Sequence, residues 1–309
     1  MAVAIRTRGL SKVYRGLVGP GVEALTDLNL DVREGTIFGL VGPNGSGKTT
    51  TLKLLLGLIF PTSGTIEALG EKVRSSRYRS RVGFLPDGPY FYDYLNADEL
   101  LRFYGGVFGL RGAELRNRVD ELLELVDMAA PDRRRRRVRE YSKGMIQRVG
   151  VAQAMINDPD LLYFDEPTSG LDPQGSLQMR EIILRLRERG KTVFLCSHLL
   201  AEVERICDDV TILNEGQTVR SGSIGELLEG EGLFSVRARQ VADDCLARVR
   251  ELAQSVQTVD GGVEIVTPEE PRALEIADLI RQSGGEVSLI GKRRRSLEDV
   301  FIESIQEAS

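Results

Sequence analysis

The spacing of apolar residues changes along the chain, and each spacing predicts a type of element. Residues 1 to about 35 alternate apolar and polar positions in the manner of strands. Further on, apolar runs predict buried strands, and apolar positions three and four residues apart predict helices. Buried strands are expected at 36–41, 161–164 and 192–196, and helices at 49–58, within 96–128 and at 179–189. Apolar strands that alternate with helices indicate an α/β fold with a parallel sheet.

A second, smaller region begins where the composition changes, in the segment Glu226–Gly232. Beyond it, we expect strands at 233–238, 263–266 and 286–290, and helices up to about 255, at 271–282 and after 296. Ser296, with Asp299 three residues on, has the spacing of a capping box at the start of the last helix. We therefore predict two domains, residues 1–228 and residues 229–309, of which the second is small and α+β.

The composition limits the class of function. At about 150 residues per domain, a chain of 309 residues predicts about two domains. The net charge of −5 and the pI near 5.3 argue against a protein that coats nucleic acid along its whole chain, which would be basic. The spacing of Cys196, Cys207 and Cys245 fits neither a zinc site nor a disulfide framework. The longest apolar stretch, Leu52–Phe60, is far shorter than the ~20 residues of a membrane span, so we expect no transmembrane helix.

A glycine-rich loop follows the first predicted buried strand. Residues Gly42–Thr49 read G-P-N-G-S-G-K-T, which is the G-x-x-x-x-G-K-[ST] phosphate loop between a strand and a helix. Glycines let backbone N–H groups point at an anion, and the helix adds its positive N-terminal end. Lys48 is expected to contact the β- and γ-phosphates, and the Thr49 hydroxyl suits Mg²⁺. The predicted nucleotide contacts of this loop are Gly42, Pro43, Asn44, Gly45, Ser46, Gly47, Lys48, Thr49 and Thr50.

Two acidic residues stand at the end of the predicted strand 161–164. Asp165 and Glu166 follow four apolar residues, and α/β sheets bind ligands at the carboxyl ends of their strands. We expect Asp165 to hold Mg²⁺, directly or through water, and Glu166 to orient or deprotonate the attacking water. His198, the only histidine, follows the strand 192–196 and is expected to contact the γ-phosphate. The alternative interpretation of Asp165 and Glu166 is that they only cap a helix, and the presence of the phosphate loop argues against it.

A third motif makes the chain resemble the ATP-binding subunits of ABC transporters over roughly residues 3–228. Tyr141–Met145 read Y-S-K-G-M and are similar to the family's signature motif, whose usual form is L-S-G-G-Q. Ser142 lies 23 residues before Asp165, where the family has its signature. Ser142 and the Gly144 backbone can form an anion site at a helix start. The resemblance implies a head-to-tail dimer in which this motif binds the γ-phosphate held by the other subunit.

The resemblance implies a fold and further residue roles. The fold is a P-loop ABC ATPase with an N-terminal β-subdomain and a helical subdomain inserted at about residues 88–155. Tyr14 resembles the aromatic residue that stacks on adenine, and a strand-surface tyrosine is the alternative. Ser169–Asp172 (S-G-L-D) looks like the loop that crosses the dimer interface, and His198 matches the family's switch histidine. The expected cofactors are ATP and Mg²⁺.

Three features depart from the family's pattern. Lys143 and Met145 replace glycine and glutamine in the signature, a form typical of one exporter branch. Asp87 stands where the family has its Q-loop glutamine; its oxygens can hold Mg²⁺ or water, but it adds negative charge near the phosphates. Arg133–Arg137 place five arginines just before the signature. For this run we favour a solvated loop face over a contact with a partner or with anionic lipid headgroups.

Two further segments make the chain similar to the ATPase subunits of ABC-2 type exporters, which move drugs, lipids, polysaccharides or sodium ions. Ser296–Glu303 (S-L-E-D-V-F-I-E) resemble the end of their C-terminal accessory domain. Tyr90, Phe91, Tyr92 and Tyr94 follow the Q-loop position, where the family receives the coupling helix of the membrane subunit. We expect roughly half of these rings at that interface and the others in the core of the helical subdomain.

The resemblance predicts an ATP-hydrolysing subunit bound peripherally at the cytoplasmic face of the cell membrane to a separate polytopic permease. Two copies would close over two ATP molecules with Mg²⁺ and reopen after hydrolysis, with catalysis resting on positioning and charge stabilisation. A homodimer is favoured over a heterodimer, and no nucleic-acid partner is expected. The alternatives are a soluble ABC ATPase acting on ribosomes or DNA, a regulatory protein that binds ATP without hydrolysing it, and an importer ATPase.

Overall fold

A computed structural model describes residues 2–15, 21–228, 233–259, 261–293 and 295–308 of the chain. These residues form two compact units, of which the first ends at Ile224 and the second begins at Gly225. The predicted boundary between residues 228 and 229 adjoins a segment outside the described residues and stays a prediction. Among the described helices, none combines the length and the apolarity needed to cross a bilayer.

The first unit contains a three-stranded antiparallel sheet. Its strands are β1 (Val3–Tyr14), β2 (Val22–Arg33) and β4 (Ser63–Ala68), in the spatial order β2-β1-β4. Leu28, Leu30 and Val32 are buried while the residues between them are exposed, as the predicted alternation requires. The sheet therefore has one face in the core of the unit.

A six-stranded sheet forms the rest of the core of the first unit. Its strands are β3 (Ile37–Val41), β5 (Val82–Leu85), β6 (Leu161–Asp165), β7 (Thr192–Ser197), β8 (Asp209–Asn214) and β9 (Gln217–Ser223). Their spatial order is β5-β6-β7-β3-β8-β9, and all neighbours are parallel except β8 and β9. Every residue of β3 and β7 is buried, as expected for parallel strands covered on both faces. Because β6, β7 and β3 are adjacent, the segments that follow them meet at one edge of the sheet.

Helices connect these strands. They are α1 (Lys48–Leu55), α2 (Ser76–Arg79), α3 (Ala97–Val107), α4 (Gly112–Leu125), α5 (Pro131–Arg135), α6 (Lys143–Ala154), α7 (Pro173–Glu188) and α8 (Leu200–Ile206), with a 3-10 turn at Val138–Glu140. A further helix, α9 (Ile224–Leu228), follows β9 and begins at the last residue of the first unit. The first helix ends three residues earlier than predicted, because Gly57 adopts a left-handed φ of 67° just beyond it. The long helical stretch predicted before residue 128 is two helices, since Gly109 and Gly112 have φ values of 89° and 57°.

The second unit is α+β, as predicted. Its elements are β10 (Phe234–Arg239), α10 (Asp243–Leu252), β11 (Ser255–Val259), β12 (Gly262–Thr267), α11 (Glu270–Gln282), β13 (Glu286–Lys292) and α12 (Leu297–Ala308). The strands form an antiparallel sheet in the order β11-β12-β10-β13, and α10 and α11 pack on it through one apolar cluster. The predicted capping box is present, because Ser296 and Asp299 side chains each accept the other residue's backbone N–H.

Candidate functional site

The loop between β3 and α1 requires glycine at two positions. A Cβ at Gly42 would lie 2.1 Å from the carbonyl oxygen of Leu213. Gly47 has a φ of 106°, and a Cβ there would lie 2.7 Å from the carbonyl oxygen of Ala24. A Cβ at Gly45 would meet no heavy atom of the described residues within 4 Å. The loop is therefore tightly packed on one side and leaves open space at Gly45.

The side chain of Lys48 is held inside this loop, with 6% of the residue exposed. Its Nζ donates hydrogen bonds to the carbonyl oxygens of Gly42 (2.7 Å) and Pro43 (3.0 Å). The Ser46 hydroxyl is buried and has no hydrogen-bond partner in the part of the chain that the structure describes. Such a hydroxyl costs free energy that a bound anion would recover by accepting a hydrogen bond from it. The loop therefore fits the phosphate groups that its sequence motif predicts.

The turn after β6 brings Glu166 to His198, which follows β7. Glu166 has a φ of 48°, in the left-handed region that disfavours residues with a Cβ, and its N–H donates to the carbonyl oxygen of Cys196 (2.9 Å). The residue is 9% exposed, and its Oε2 lies 2.8 Å from Nδ1 of His198. Strained backbone of this kind is concentrated at functional sites. The residue predicted to activate water is thus oriented by the predicted switch histidine.

Asp165 lies in an environment with excess negative charge. Its pKa is raised from 3.8 to about 6, chiefly by burial and then by the charges of Glu166 and Asp87. The positive charges of Lys48 and Lys53 oppose this increase without cancelling it. A cation bound beside Asp165 would therefore stabilise its ionised form.

One cavity of about 240 Å³ brings together the three predicted metal residues and six of the nine predicted loop residues, but not Gly42, Pro43 or Ser46. It is lined by Ala24, Asn44, Gly45, Gly47, Lys48, Thr49, Thr50, Asp87, Asp165 and Glu166. Ala24 is the lining residue that sequence reasoning missed, because an alanine in a strand carries no chemical signal. His198 does not line the cavity, but it contacts Glu166, which does. Within the described residues, no three His, Cys, Asp or Glu side chains are grouped so that they alone could hold a metal ion.

The Y-S-K-G-M segment lies in a different place. It lines a cleft of about 330 Å³, here called the signature cleft, formed by Arg133, Ser142, Lys143, Gly144, Arg148, Gly170, Leu171, Asp172, Gln174, Gly175 and Gln178. Ser142 is the N-cap of α6, and its Oγ accepts the Met145 N–H (3.3 Å). Ser142 and Gly144 are therefore not brought to the cavity around Lys48 in the same chain.

Tyr14 lies at the end of β1 and is 40% exposed. The Lys12 ammonium lies 5.1 Å from the centroid of its ring, within the range of a cation–π contact. Tyr14 lines neither the cavity around Lys48 nor the signature cleft. The adjoining residues 16–20 lie outside the described residues, so its contact with adenine stays a prediction.

Known proteins match this chain over most of its length. The ABC transporter family model matches residues 25–169. An uncharacterized ABC transporter ATP-binding protein of Nostoc sp. is 43% identical over 305 residues, which are 98% of this chain and 90% of the relative. The chain belongs to the ABC transporter ATP-binding proteins. The Nod factor export ATP-binding protein I of Cupriavidus metallidurans is 40% identical over 237 residues, which are 75% of each chain.

A solved structure also supports the assignment of this chain to the ABC transporter ATP-binding proteins. A dimeric ATP-binding cassette in a post-hydrolysis state, bound to ADP and Pi, matches with a TM-score of 0.63 and 26% identity. The match covers 71% of this chain and 98% of the cassette. The predicted α/β ABC ATPase fold is confirmed, and so is the prediction of an ATPase that serves as the ATP-binding subunit of a transporter.

The arginine run of this ABC subunit differs in part from the solvated face that the sequence predicts. Arg134 is half-buried and pairs with Asp98 of α3 and with Asp120 of α4. Arg133 is also half-buried and donates to the carbonyl oxygen of Asp127, whereas residues 135–137 are exposed, as predicted. The sequence could not indicate this burial, because the carboxylates that pair with Arg134 lie far from it along the chain. One arginine of the run therefore connects α5 to the helices of the helical region.

The aromatic residues after the Q-loop position are more exposed than predicted. Phe91 is buried, with 7% of its surface exposed, whereas Tyr90 is 91%, Tyr92 49% and Tyr94 56% exposed. One ring of the four therefore belongs to the core, where about half were expected. The other three, together with Phe103 and Phe108, which are 50% and 47% exposed, form what we call the aromatic patch.

We expect the Asp165→Asn variant to be more stable than the wild type without nucleotide. The folded pKa of about 6 lies above the ordinary value of 3.8, so the ionised carboxylate destabilises the folded state when the pH is above about 6. This penalty is full above about pH 6 and declines to zero as the pH falls from there towards 3.8, because the folded protein takes up the proton before the unfolded protein does. Thermal unfolding should show a rise in Tm of about 3 °C near pH 8 and a smaller one near pH 5. The exposed Asp93→Asn serves as the control, and an equal shift at both pH values would contradict the electrostatic explanation.

Proposed function

We propose that this chain hydrolyses ATP at the cavity around Lys48 and thereby drives export through a separate membrane permease. One observation carries the proposal: Lys48, Thr49, Asp165 and Glu166 line a single cavity, and His198 contacts Glu166 from outside it. Phosphoryl transfer needs this combination of a phosphate-binding cation, a metal ligand and an oriented base. The export class is supported by the relative that is a Nod factor export ATP-binding protein.

The contacts of each side chain suggest its role in hydrolysis. The Lys48 ammonium would exchange the carbonyl oxygens of Gly42 and Pro43 for the β- and γ-phosphates of ATP. Glu166 would accept a proton from the attacking water, with His198 holding its carboxylate through Nδ1 and facing the γ-phosphate with its other ring nitrogen. Backbone N–H groups and the Ser46 hydroxyl would stabilise the charge on the phosphates as the bond breaks.

Magnesium fits the oxygen-donor set of the cavity. Thr49 and Asp165 would hold the ion, and Asp87 offers a further carboxylate where the family has a glutamine. Mg²⁺ keeps several waters and binds substrate phosphates, so it does not need three protein carboxylates grouped around it. When bound, it supplies positive charge that polarises the phosphate oxygens.

A second copy of the chain would complete the site. The phosphate loop and the signature residues Ser142 and Gly144 belong to separate clefts, and a head-to-tail dimer would place each signature over the partner's nucleotide. Ser169–Asp172 would lie at that interface. Because one chain carries both halves of the site, we favour a homodimer over a heterodimer.

The permease and the peripheral location are tested by affinity purification from detergent-solubilised membranes of the source cell. We expect a polytopic membrane protein to be recovered in near-equal amount with this chain, which would be bound at its cytoplasmic face. We also expect the complex to hydrolyse ATP. Recovery of ribosomes or nucleic acid without a membrane protein would leave the ATPase assignment in place and overturn transport.

The aromatic patch is expected to bind the permease. Tyr92 lies 5.8 Å from Tyr94 and 6.2 Å from Phe103, measured between ring centroids, so these exposed rings form one continuous surface. Aromatic residues are enriched at protein interfaces. The Tyr92→Ser, Phe103→Ser double variant should retain about tenfold less permease in the same purification, while the ATPase rate of the detached chain stays unchanged. Leu274→Ser, at an exposed position of α11, should retain the wild-type amount.

A further inference from the structure

A side-chain contact connects the turn that follows β6 to the helix that follows β7. The Thr168 hydroxyl donates a hydrogen bond to Oε2 of Glu202, which lies in the first turn of α8. Thr168 is 6% exposed and Glu202 is half-buried. We call this contact the Thr168–Glu202 link. A hydrogen bond to a carboxylate is about twice as strong as one between neutral groups, so the link is a strong restraint.

Each end of the link lies close in sequence to one member of the Glu166–His198 pair. Thr168 is two residues beyond Glu166, and the Ser169 N–H closes the turn between them by donating to the Glu166 carbonyl oxygen (3.1 Å). Glu202 is four residues beyond His198, in a helix that begins two residues after the histidine. A shift of α8 relative to the turn would therefore move His198 relative to Glu166.

Packing alone does not hold the imidazole of His198 in place. Its side chain is 41% exposed, whereas that of Glu166 is 12% exposed. The Glu166 N–H donates to the carbonyl oxygen of Cys196 (2.9 Å), and this bond restrains the backbone of the turn but not the side-chain torsions of the pair. The contact between Nδ1 and the Glu166 carboxylate therefore depends on where the backbone that carries His198 is held.

Helix α8 is buried only in its C-terminal half. Its buried residues are Val203 and Ile206, and a Cβ at Gly39 of β3 would lie 2.6 Å from Cγ1 of Val203. The first turn, which adjoins His198, contains no buried residue. The Thr168–Glu202 link is therefore the polar restraint at the end of α8 where apolar packing is weak.

The link lies at the wall of a cleft of about 450 Å³, which Arg180 and Arg205 also line. Although the Arg205 side chain is only three residues from Glu202, the carboxylate contacts the Thr168 hydroxyl. An acidic residue that only balanced local charge would pair with such a cation. The direction of this contact indicates that Glu202 holds the turn after β6.

We infer that Thr168 and Glu202 are positioning residues, whose link holds the imidazole of His198 at the Glu166 carboxylate. The inference rests on the proposed function, in which Glu166 accepts a proton from the attacking water. Neither Thr168 nor Glu202 lines the cavity around Lys48, so the link acts on the orientation of the base and not on nucleotide binding. A misplacement of about 1 Å at a reacting group can cost about a hundredfold in rate.

The first test measures the environment of His198 directly, because it is the only histidine of the chain. Full-length protein without a histidine tag, labelled with ¹⁵N-histidine, gives the ring-nitrogen NMR signals of this one residue in the absence of nucleotide. At a pH where the ring is neutral, the wild type should carry the proton on Nδ1, since Nδ1 donates to Glu166. Thr168→Val or Glu202→Ala should shift the proton largely to Nε2, the tautomer that a free imidazole side chain prefers in water.

Conservative and matched variants separate positioning from general loss of stability. Thr168→Ser and Glu202→Gln keep a donor and an acceptor, and they should retain the wild-type Nδ1 signal. Thr7→Val is the matched control, because it removes a buried hydroxyl that donates to the Leu28 carbonyl oxygen (2.9 Å) in the sheet of β1 and β2. It should lower the Tm and leave the His198 signals unchanged.

The second test measures ATP hydrolysis. Thr168→Val and Glu202→Ala should each lower kcat about tenfold, while KM for ATP changes by less than about twofold. Because the link acts through His198, adding Thr168→Val to His198→Ala should lower kcat by less than about a further twofold.

The two measurements distinguish failure of this inference from failure of the proposed function. Wild-type ring-nitrogen signals in both Thr168→Val and Glu202→Ala, or a full tenfold further loss of kcat in the His198→Ala background, would overturn the inference. A wild type that does not hydrolyse ATP would instead overturn the proposed function, and the NMR signals would still show whether the link holds His198. Either variant alone is sufficient for the NMR test if the other does not fold.

Discussion

The Glu166→Gln variant is expected to lose at least about a hundredfold in ATP turnover, the size of a general-base contribution. Glutamine has the same shape and tolerates the left-handed backbone equally well, but its amide does not accept a proton from water. Its ATP affinity should stay within about threefold of the wild type, because the proposed function assigns phosphate binding to Lys48 and the loop and not to Glu166. With ATP and Mg²⁺ the closed dimer should accumulate, since hydrolysis reopens it in the proposed cycle. Phosphate release, nucleotide titration and sedimentation measure the three effects.

The control for this variant is Glu114→Gln, which removes the same charge from an exposed position of α4. It should hydrolyse ATP at the wild-type rate. If Glu166→Gln hydrolysed ATP like the wild type, the base would have to be another group, and the contact of Glu166 with His198 would be structural. A loss of ATP binding together with turnover would indicate damage to the loop instead of loss of a base.

The sequence could predict those parts of the site that come directly after a buried strand in the chain. The phosphate loop, Asp165–Glu166 and His198 each follow a short apolar run, and runs of this length are typical of buried parallel strands. Their meeting at one edge follows from the general behaviour of α/β sheets. The adjacency of β6, β7 and β3 brings the phosphate loop and Asp165–Glu166 to one cavity and places His198 in contact with Glu166.

Contacts between distant segments could not be predicted. The pairing of Glu166 with His198 depends on a positive φ at a glutamate, for which the sequence carries no glycine signal. Arg134 looks solvated until α3 and α4 place Asp98 and Asp120 beside it. Strand β11 has apolar residues only at Val256 and Val259 and lies at a sheet edge, so its periodicity is too weak to detect. In each case the feature depends on tertiary packing, which the local sequence pattern does not reveal.

The Lys48→Ala variant is expected to bind ATP about a hundredfold more weakly, because it loses the charge-assisted contacts to two phosphate groups. The loss should be larger for ATP than for ADP, since the γ-phosphate is one of those groups. Without nucleotide, the variant also leaves the carbonyl oxygens of Gly42 and Pro43 without their donor. Removing the cation should raise the pKa of Asp165 further, because Lys48 is the first of the charges that oppose its increase. Nucleotide titration and thermal unfolding measure these effects.

The matched control is Lys53→Ala, which removes the same charge from an exposed position of the same helix. Both lysines lower the pKa of Asp165, but only Lys48 is enclosed by the loop. If the general positive charge of α1 attracted the nucleotide, the two variants would weaken ATP binding to a similar degree. If the loop positions one ammonium group at the phosphates, Lys53→Ala should change ATP affinity by less than about threefold. Unchanged affinity in Lys48→Ala would remove the phosphate-loop argument, and with it the basis for placing ATP in this cavity.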